Sequence, residues 1–197
     1  MNILLFNLLN YISIENIISA YQYGNKNGKD IDIFILCKND ICYDRTEIEK
    51  FDFTIVGHRY FDHFLKSFDP IVSEPLLTGR LISGLDLLQS TQRLRSLDAS
   101  DATVKHHLNM AQQVFLSAEH YEKLSLEIAL LNLVFSLSYY YFADYYANNK
   151  KVILFSYLLE KSDYLLKKAF KTYKNKQITN TKYYSLKNKI SYLLDLD

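Results

Sequence analysis

Hydrophobic and polar positions change their rhythm along this chain. Over Ile17–Tyr23, IISAYQY, β-branched and aromatic residues crowd together and stop at Gly24, which predicts a strand. Asp30–Cys37, DIDIFILC, alternates acidic and aliphatic residues and then turns wholly apolar. That pattern predicts a strand buried in its second part, with its opening acids at an edge or mouth. Phe51–Val56, FDFTIV, predicts a third strand, stopped by Gly57. Asn2–Tyr11 has the spacing of a short amphipathic helix, and His58–Ser67 that of another. Asp69-Pro70 marks a turn or helix entry, and Glu74-Pro75 predicts the start of a further short helix. The first half therefore predicts a sheet of three or four strands with two or three helices.

Past Leu85 the rhythm is helical throughout. All five glycines and both prolines precede that residue, so nothing beyond it breaks a helix strongly. Ser100 or Asp101 caps a helix running to about Tyr121. Ser125–Asn148 predicts a long apolar helix. Lys151–Lys176 predicts a third, with Leu154, Leu158, Leu165 and Leu166 near helical spacing, and Thr181–Leu196 a fourth. Short polar links between them predict an antiparallel bundle. The expected fold class is α+β: a small mixed-sheet domain over residues 1–95, then an antiparallel helical bundle over 96–197.

Composition narrows the class. Of 197 residues, 49% are hydrophobic and 23% charged, a globular balance that excludes a disordered or fibrous chain. The net charge of +1 hides a division. Residues 1–90 carry 8 Lys/Arg and 12 Asp/Glu, net −4; the remainder carries 23 − 8 = 15 and 22 − 12 = 10, net +5. Lys150–Lys189 holds 11 lysines against Glu160 and Asp163. A solvated helical face is the default for such a run, and a site for RNA or a protein partner is the sharper reading. Cys37 and Cys42 have no second cysteine pair to make a zinc site, and they fit a reducing, cytoplasmic setting. No uninterrupted apolar run reaches the roughly 18 residues of a membrane span. The apolar Met1–Ile12 lacks the cationic start of a leader, so neither a leader nor a membrane partner is expected.

The informative stretch is Tyr23–Phe34, YGNKNGKDIDIF. A strand ends at Gly24, a polar turn follows, and the next strand opens with Asp30 and Asp32. Residues i and i+2 of a strand face the same way, so the two carboxylates stand side by side. Like charges that close repel unless a cation lies between them. Mg²⁺, a hard oxygen-seeking ion that keeps positions open for phosphate oxygens, suits the pair, with Mn²⁺ as a substitute. The glycines at 24 and 28 leave backbone N–H groups free to approach a phosphate, and Lys26 and Lys29 add positive charge. Asp52, between Phe51 and Phe53, is an acid inside an apolar strand and calls for a partner. If its strand lies beside Asp30–Cys37, Asp52 completes a three-carboxylate cluster suited to phosphoryl or nucleotidyl transfer. The alternative is a solvated turn, with Asp30 and Asp32 guarding a strand edge and Asp52 paired with Arg59 or Lys50.

Gly24-Asn25, then Asp30-x-Asp32 opening an apolar strand, then Asp52 in the next, resembles the DNA-polymerase-β-like nucleotidyltransferases, especially their minimal members. The resemblance covers residues 15–90, and the helical half is similar to the substrate-binding bundles that accompany them. It implies Mg²⁺-dependent transfer of a nucleoside monophosphate from an NTP to a hydroxyl on a small molecule, a tRNA or a protein. It implies that Gly24, Asn25, Lys26, Gly28 and Lys29 meet the triphosphate. Asp30, Asp32 and Asp52 would be the metal ligands and catalytic acids, with Asp52 as base. Asn25 stands where the family has serine, and the turn is shorter than the family's. A non-catalytic binding or regulatory protein on the same fold, oligomeric or not, is the competing expectation.

Other residues add less. His58 and His63 leave the third strand and are expected at the surface. His106-His107 occupy successive helix positions and cannot share a ligand. Arg59-x3-His63 is one residue short of the Arg–His spacing of the helical HEPN ribonucleases. Tyr139–Tyr141, Phe142, Tyr145 and Tyr146 form a band expected to be core and rim rather than a stacking surface.

Overall fold

The computed structural model describes residues 13–24, 30–42, 44–48 and 50–196. The helix expected over Asn2–Tyr11 lies outside them. The chain divides into two compact units, Met1–Leu97 and Asp98–Asp197.

In the first unit β1 (Ile17–Tyr23), β2 (Ile31–Cys37), β3 (Asp44–Ile48), β4 (Phe51–Gly57) and β5 (Arg80–Gly84) form one sheet in the order β3-β4-β2-β1-β5. β2 and β4 run parallel and the other neighbours antiparallel, so the sheet is mixed. β4 is buried at every position. β3 and β5 were not expected. Both are edge strands, and β5 is exposed along its whole length. An edge strand needs no buried face, so DRTEI and RLISG carry no strong apolar signal.

Alternation gives each face of the sheet its own residues. Ile33, Ile35, Cys37, Phe51, Phe53 and Ile55 join Ala20 in one buried cluster. Phe34, Leu36 and Val56, also buried, point the opposite way. Gly57 closes β4 where the loop after β2 crosses it. Its N–H donates to the Ile41 carbonyl at 3.0 Å, and a Cβ there would lie 2.2 Å from that oxygen. The crossing sends the chain out to β3 and back by a hairpin into β4.

Among the described residues three α-helices complete the unit: α1 (His58–Lys66), α2 (Pro70–Thr78) and α3 (Leu88–Ser96). The expected helix start at Glu74-Pro75 is corrected. Asp69 accepts from the Ile71 N–H at 2.9 Å and Pro70 takes the first turn, so α2 begins there and Pro75 lies inside it.

The second unit contains α4 (Asp101–Tyr121), α5 (Leu126–Asn148), α6 (Phe155–Lys161), α7 (Tyr164–Lys174) and α8 (Asn180–Leu193). Ser100 and Thr103 form a reciprocal cap at the start of α4, and Ser125 caps α5. The single helix expected over Lys151–Lys176 is corrected to two. Asp163 accepts from the Leu165 N–H at 2.8 Å and starts a new helix after Ser162. α5 is the spine: it packs along α4 and also meets α6, α7 and α8. Leu130, Leu133, Val134 and Leu137 on α5 meet Ala111, Phe115, Leu166, Tyr183 and Ile190 in one core. α5 is also long and apolar enough to cross a membrane by length and composition, but more than half of its most apolar window is buried in this core. In the aromatic band, Tyr139, Phe142 and Tyr146 are buried. His107, fully buried, stacks on Phe142 at 5.3 Å, while His106 lies outward of it.

Candidate functional site

Register brings the acids together. Asp32 on β2 lies directly beside Asp52 on β4. Asp52 in turn faces Glu47 on β3, and Asp32 faces Tyr23 on β1. Residues directly opposite across strands project to one face, so Glu47, Asp52, Asp32 and Tyr23 form a row across four strands. Asp30 precedes β2, is exposed, and stands at the mouth of the row. Asn25, Lys26, Gly28 and Lys29 lie outside the described residues.

Gly24 is shaped by Asp32. Its φ is +83°, and a Cβ built there would lie 2.0 Å from Asp32 Oδ2. The carboxylate thus occupies the space a side chain at 24 would need. Positive φ and this close approach both favour glycine. The Asp32 carboxyl is pushed up to about 6, first by burial and then by the Asp52 charge; Arg45 partly offsets both, and Asp30 adds to the rise. A carboxyl whose ionised form is destabilised by a second carboxylate is what a cation would relieve.

Asp52 is 7% exposed and already has a cation beside it. Arg45 Nε donates to Oδ1 at 2.9 Å and to Oδ2 at 3.1 Å, and Nη2 also donates to Oδ2. The expected partners Arg59 and Lys50 do not serve: Arg59 pairs with Asp40 at 2.6 Å, and Lys50 Nζ stands 5.6 Å from the Phe51 ring centre. Among the described residues no three Asp, Glu, His or Cys side chains gather closely enough to hold a metal. Register sets Asp32 beside Asp52, and the Asp30 charge, from just before β2, also reaches Asp32. The Asp32 and Asp52 carboxylates fit a divalent cation in charge and donor type, with Arg45 as the group a cation must displace from Asp52.

Arg45, Tyr23 and Thr54 are the neighbours that sequence reasoning missed. The Tyr23 hydroxyl and Thr54 Oγ1 lie 3.1 Å apart, reaching over β2. Burial above all raises the Tyr23 phenol well beyond its ordinary value, and it stays neutral. The signal for Arg45 was present but faint: in DRTEI, Arg45 and Glu47 alternate with Thr46, the pattern of one charged strand face. His58 and His63 are exposed on α1. Cys37 is buried and Cys42 exposed, both free.

No protein-family model and no curated protein matches the chain. Among solved structures, a nucleotidyltransferase-like protein from Exiguobacterium sibiricum is similar over 94% of this chain and 71% of that one, with 8% identity and a TM-score of 0.42.

Proposed function

We propose that the Asp32–Asp52 row is a nucleoside-triphosphate site serving transfer of a nucleoside monophosphate to a hydroxyl acceptor. One observation carries the reading: two carboxylates in register on adjacent parallel strands, one of them packed on a positive-φ glycine just past the end of β1. Asp32 and Asp52 would hold Mg²⁺, which supplies charge neutralisation at the triphosphate when bound. Gly24 leaves its backbone open to a phosphate. Asp52 would take the acceptor's proton on a carboxylate oxygen. The acceptor oxygen bonds to the α-phosphorus, the α–β bridging P–O bond breaks, and pyrophosphate leaves with that electron pair. Arg45, which holds both Asp52 oxygens without metal, would give up the carboxylate as the cation binds.

A second reading has its own support. With Arg45 on the Asp52 carboxylate and, among the described residues, no three side chains gathered to hold a metal, the site suits binding without transfer. One experiment separates the two. Thermal unfolding is followed with each NTP, with and without Mg²⁺, in wild type and Asp32→Asn, and pyrophosphate release is assayed alongside. A ligand at a hundred times its Kd adds about 2.7 kcal/mol to native stability. A Mg²⁺-dependent rise in wild type alone, with pyrophosphate release, supports transfer. The same rise without release supports the binding reading, and no rise with any NTP refutes both.

A further inference from the structure

The hairpin of α4 and α5 has an uncharged outer face. From His106 to Ala118 in α4, and from Ile128 to Ala143 in α5, there is no Asp, Glu, Lys or Arg, although 23% of the chain is charged. Burial accounts for only part of this. Leu108, Asn109, Gln113, Leu116, Ile128 and Phe135 are exposed and none of them carries a charge.

One flank of the hairpin is apolar and continuous. The two helices run antiparallel, and Ser136 Oγ donates to the Ala111 carbonyl at 2.8 Å, which sets those residues level with each other. On α5, Ile128, Leu131 and Phe135 recur at three and four, with Leu124 in the connection before them. They lie opposite the core positions Leu130, Leu133 and Leu137. On α4, Met110, Gln113, Ser117 and Tyr121 recur at three, four and four. They lie opposite Glu119 and Glu122, which pair with Lys187 of α8. His107 and Ala111, between those two sides of α4, meet α5. Both stripes therefore lie on the outer side of the hairpin, next to each other. Leu124 is 72% exposed, Ile128 44%, Tyr121 37% and Phe135 36%.

We propose that this flank docks against the same flank of a second copy of the chain, hairpin on hairpin about a two-fold axis. The absence of charge argues for that occupant. Across a two-fold axis a patch meets itself, so any charge in it stands near its own duplicate. A charge-free patch escapes that repulsion. Exposed Tyr and Phe with Met, and no charged residue, is the composition of the buried centre of an interface. Each stripe is about 16 Å long at ~1.5 Å per residue. Two such stripes side by side bury on the order of 1,000 Å² over both copies, near the lower end for a specific interface, so dimer and monomer should exchange at micromolar concentration. Other partners leave something unmatched. An acidic or basic protein segment would find no charge to pair with here. A helix that lies on a lipid surface sets lysines or arginines beside its apolar stripe, and neither run has one.

The test is sedimentation velocity of the full chain over a concentration series. Wild type should move from monomer toward dimer mass as concentration rises. Ile128→Glu should weaken self-association at least about tenfold, because it sets like charges together across the two-fold axis. Glutamate suits the first turn of a helix, so α5 itself tolerates the change. Gln113→Glu, at an exposed position on α4, should act in the same direction, and Ile128→Leu should dimerise as wild type does. Far-UV circular dichroism checks that each variant is folded. Asp32→Asn, in the other unit, should also dimerise as wild type does, so this proposal and the nucleotide-site reading stand or fall separately. A monomer at every concentration overturns the proposal, and so does a dimer that both glutamate variants leave intact. Flotation of a monomeric chain with phosphatidylserine vesicles would overturn it too, by assigning the flank to a membrane surface.

Discussion

Replacing Asp32 with asparagine should stabilise the first unit while disabling its site. The carboxyl sits beside Asp52, and its ionisation is pushed from 3.8 up to about 6, first by burial. A folded-state value above the unfolded one means that stability is fully present below about pH 4 and is lost as pH rises through about 6. At ~1.36 kcal/mol per unit, the strain at neutral pH is at most about 3 kcal/mol. Asp32 is only partly buried, so solvent screening leaves about 1–2 kcal/mol. Asparagine keeps the shape and removes the charge. It should raise the unfolding midpoint of the first unit by roughly 4–8 °C per kcal/mol at pH 8. At pH 4, where the wild-type carboxyl is protonated, the difference should vanish. Calorimetry or circular dichroism of both proteins at the two pH values checks this. A neutral or destabilising effect at pH 8, or an equal gain at both pH values, refutes the view that two crowded carboxylates strain this site. The prediction is sharper than lost activity alone: a purely structural acid rarely destabilises the fold it belongs to, whereas a functional acid often does.

The remaining predictions concern the neighbours. Arg45→Met leaves the Asp52 carboxylate buried and unpaired, and should cost the first unit about 2–4 kcal/mol by urea unfolding. Adding Asp52→Asn should restore most of it, and additive losses in the double variant would contradict the pairing. Gly24→Ala combines a positive-φ alanine, at about 1 kcal/mol, with displacement of the Asp32 carboxylate, so it should lower stability and abolish any Mg²⁺-dependent NTP shift together. In the second unit, Glu122 accepts from Lys187 at 2.8 Å and from Tyr184 at 2.7 Å, bonds that hold its carboxyl below the ordinary range. A depressed folded value means that this stability is present above about pH 4.5 and is lost as pH falls through the folded value. Glu122→Gln should therefore cost about 1 kcal/mol at pH 7 and flatten the acid limb of the unit's stability profile.

What was legible in the sequence follows from what each residue must satisfy. FDFTIV and DIDIFILC announce buried strands because both faces of β2 and β4 are covered and every position must be apolar or paired. Asp52 stood out there as an acid with no local reason to be buried, and the parallel register sets it beside Asp32. The long helices were legible because no glycine or proline follows Leu85. The caps were legible only in part: Ser125 precedes an unbroken apolar run, whereas Asp163 interrupts one that reads as continuous. β3 was hidden because its five residues pair with β4 on one side alone and carry charge outward. That omission removed Arg45 from view, and with it the group that decides how the Asp32–Asp52 pair behaves. An acid in an apolar strand has two physical solutions, a metal or a basic side chain, and the sequence pattern of the acid is the same for both. Only the strand that brings the base distinguishes them. In this protein the base arrives on the least apolar strand of the sheet, seven residues before the acid it meets, across a hairpin. A cation bound as proposed would compete with Arg45 for Asp52, and the magnesium-loaded and metal-free stabilities of wild type and Arg45→Met measure that competition. A larger Mg²⁺-dependent gain in Arg45→Met than in wild type is the expected outcome, because the variant has a vacant carboxylate to fill. Equal gains would place the cation away from Asp52.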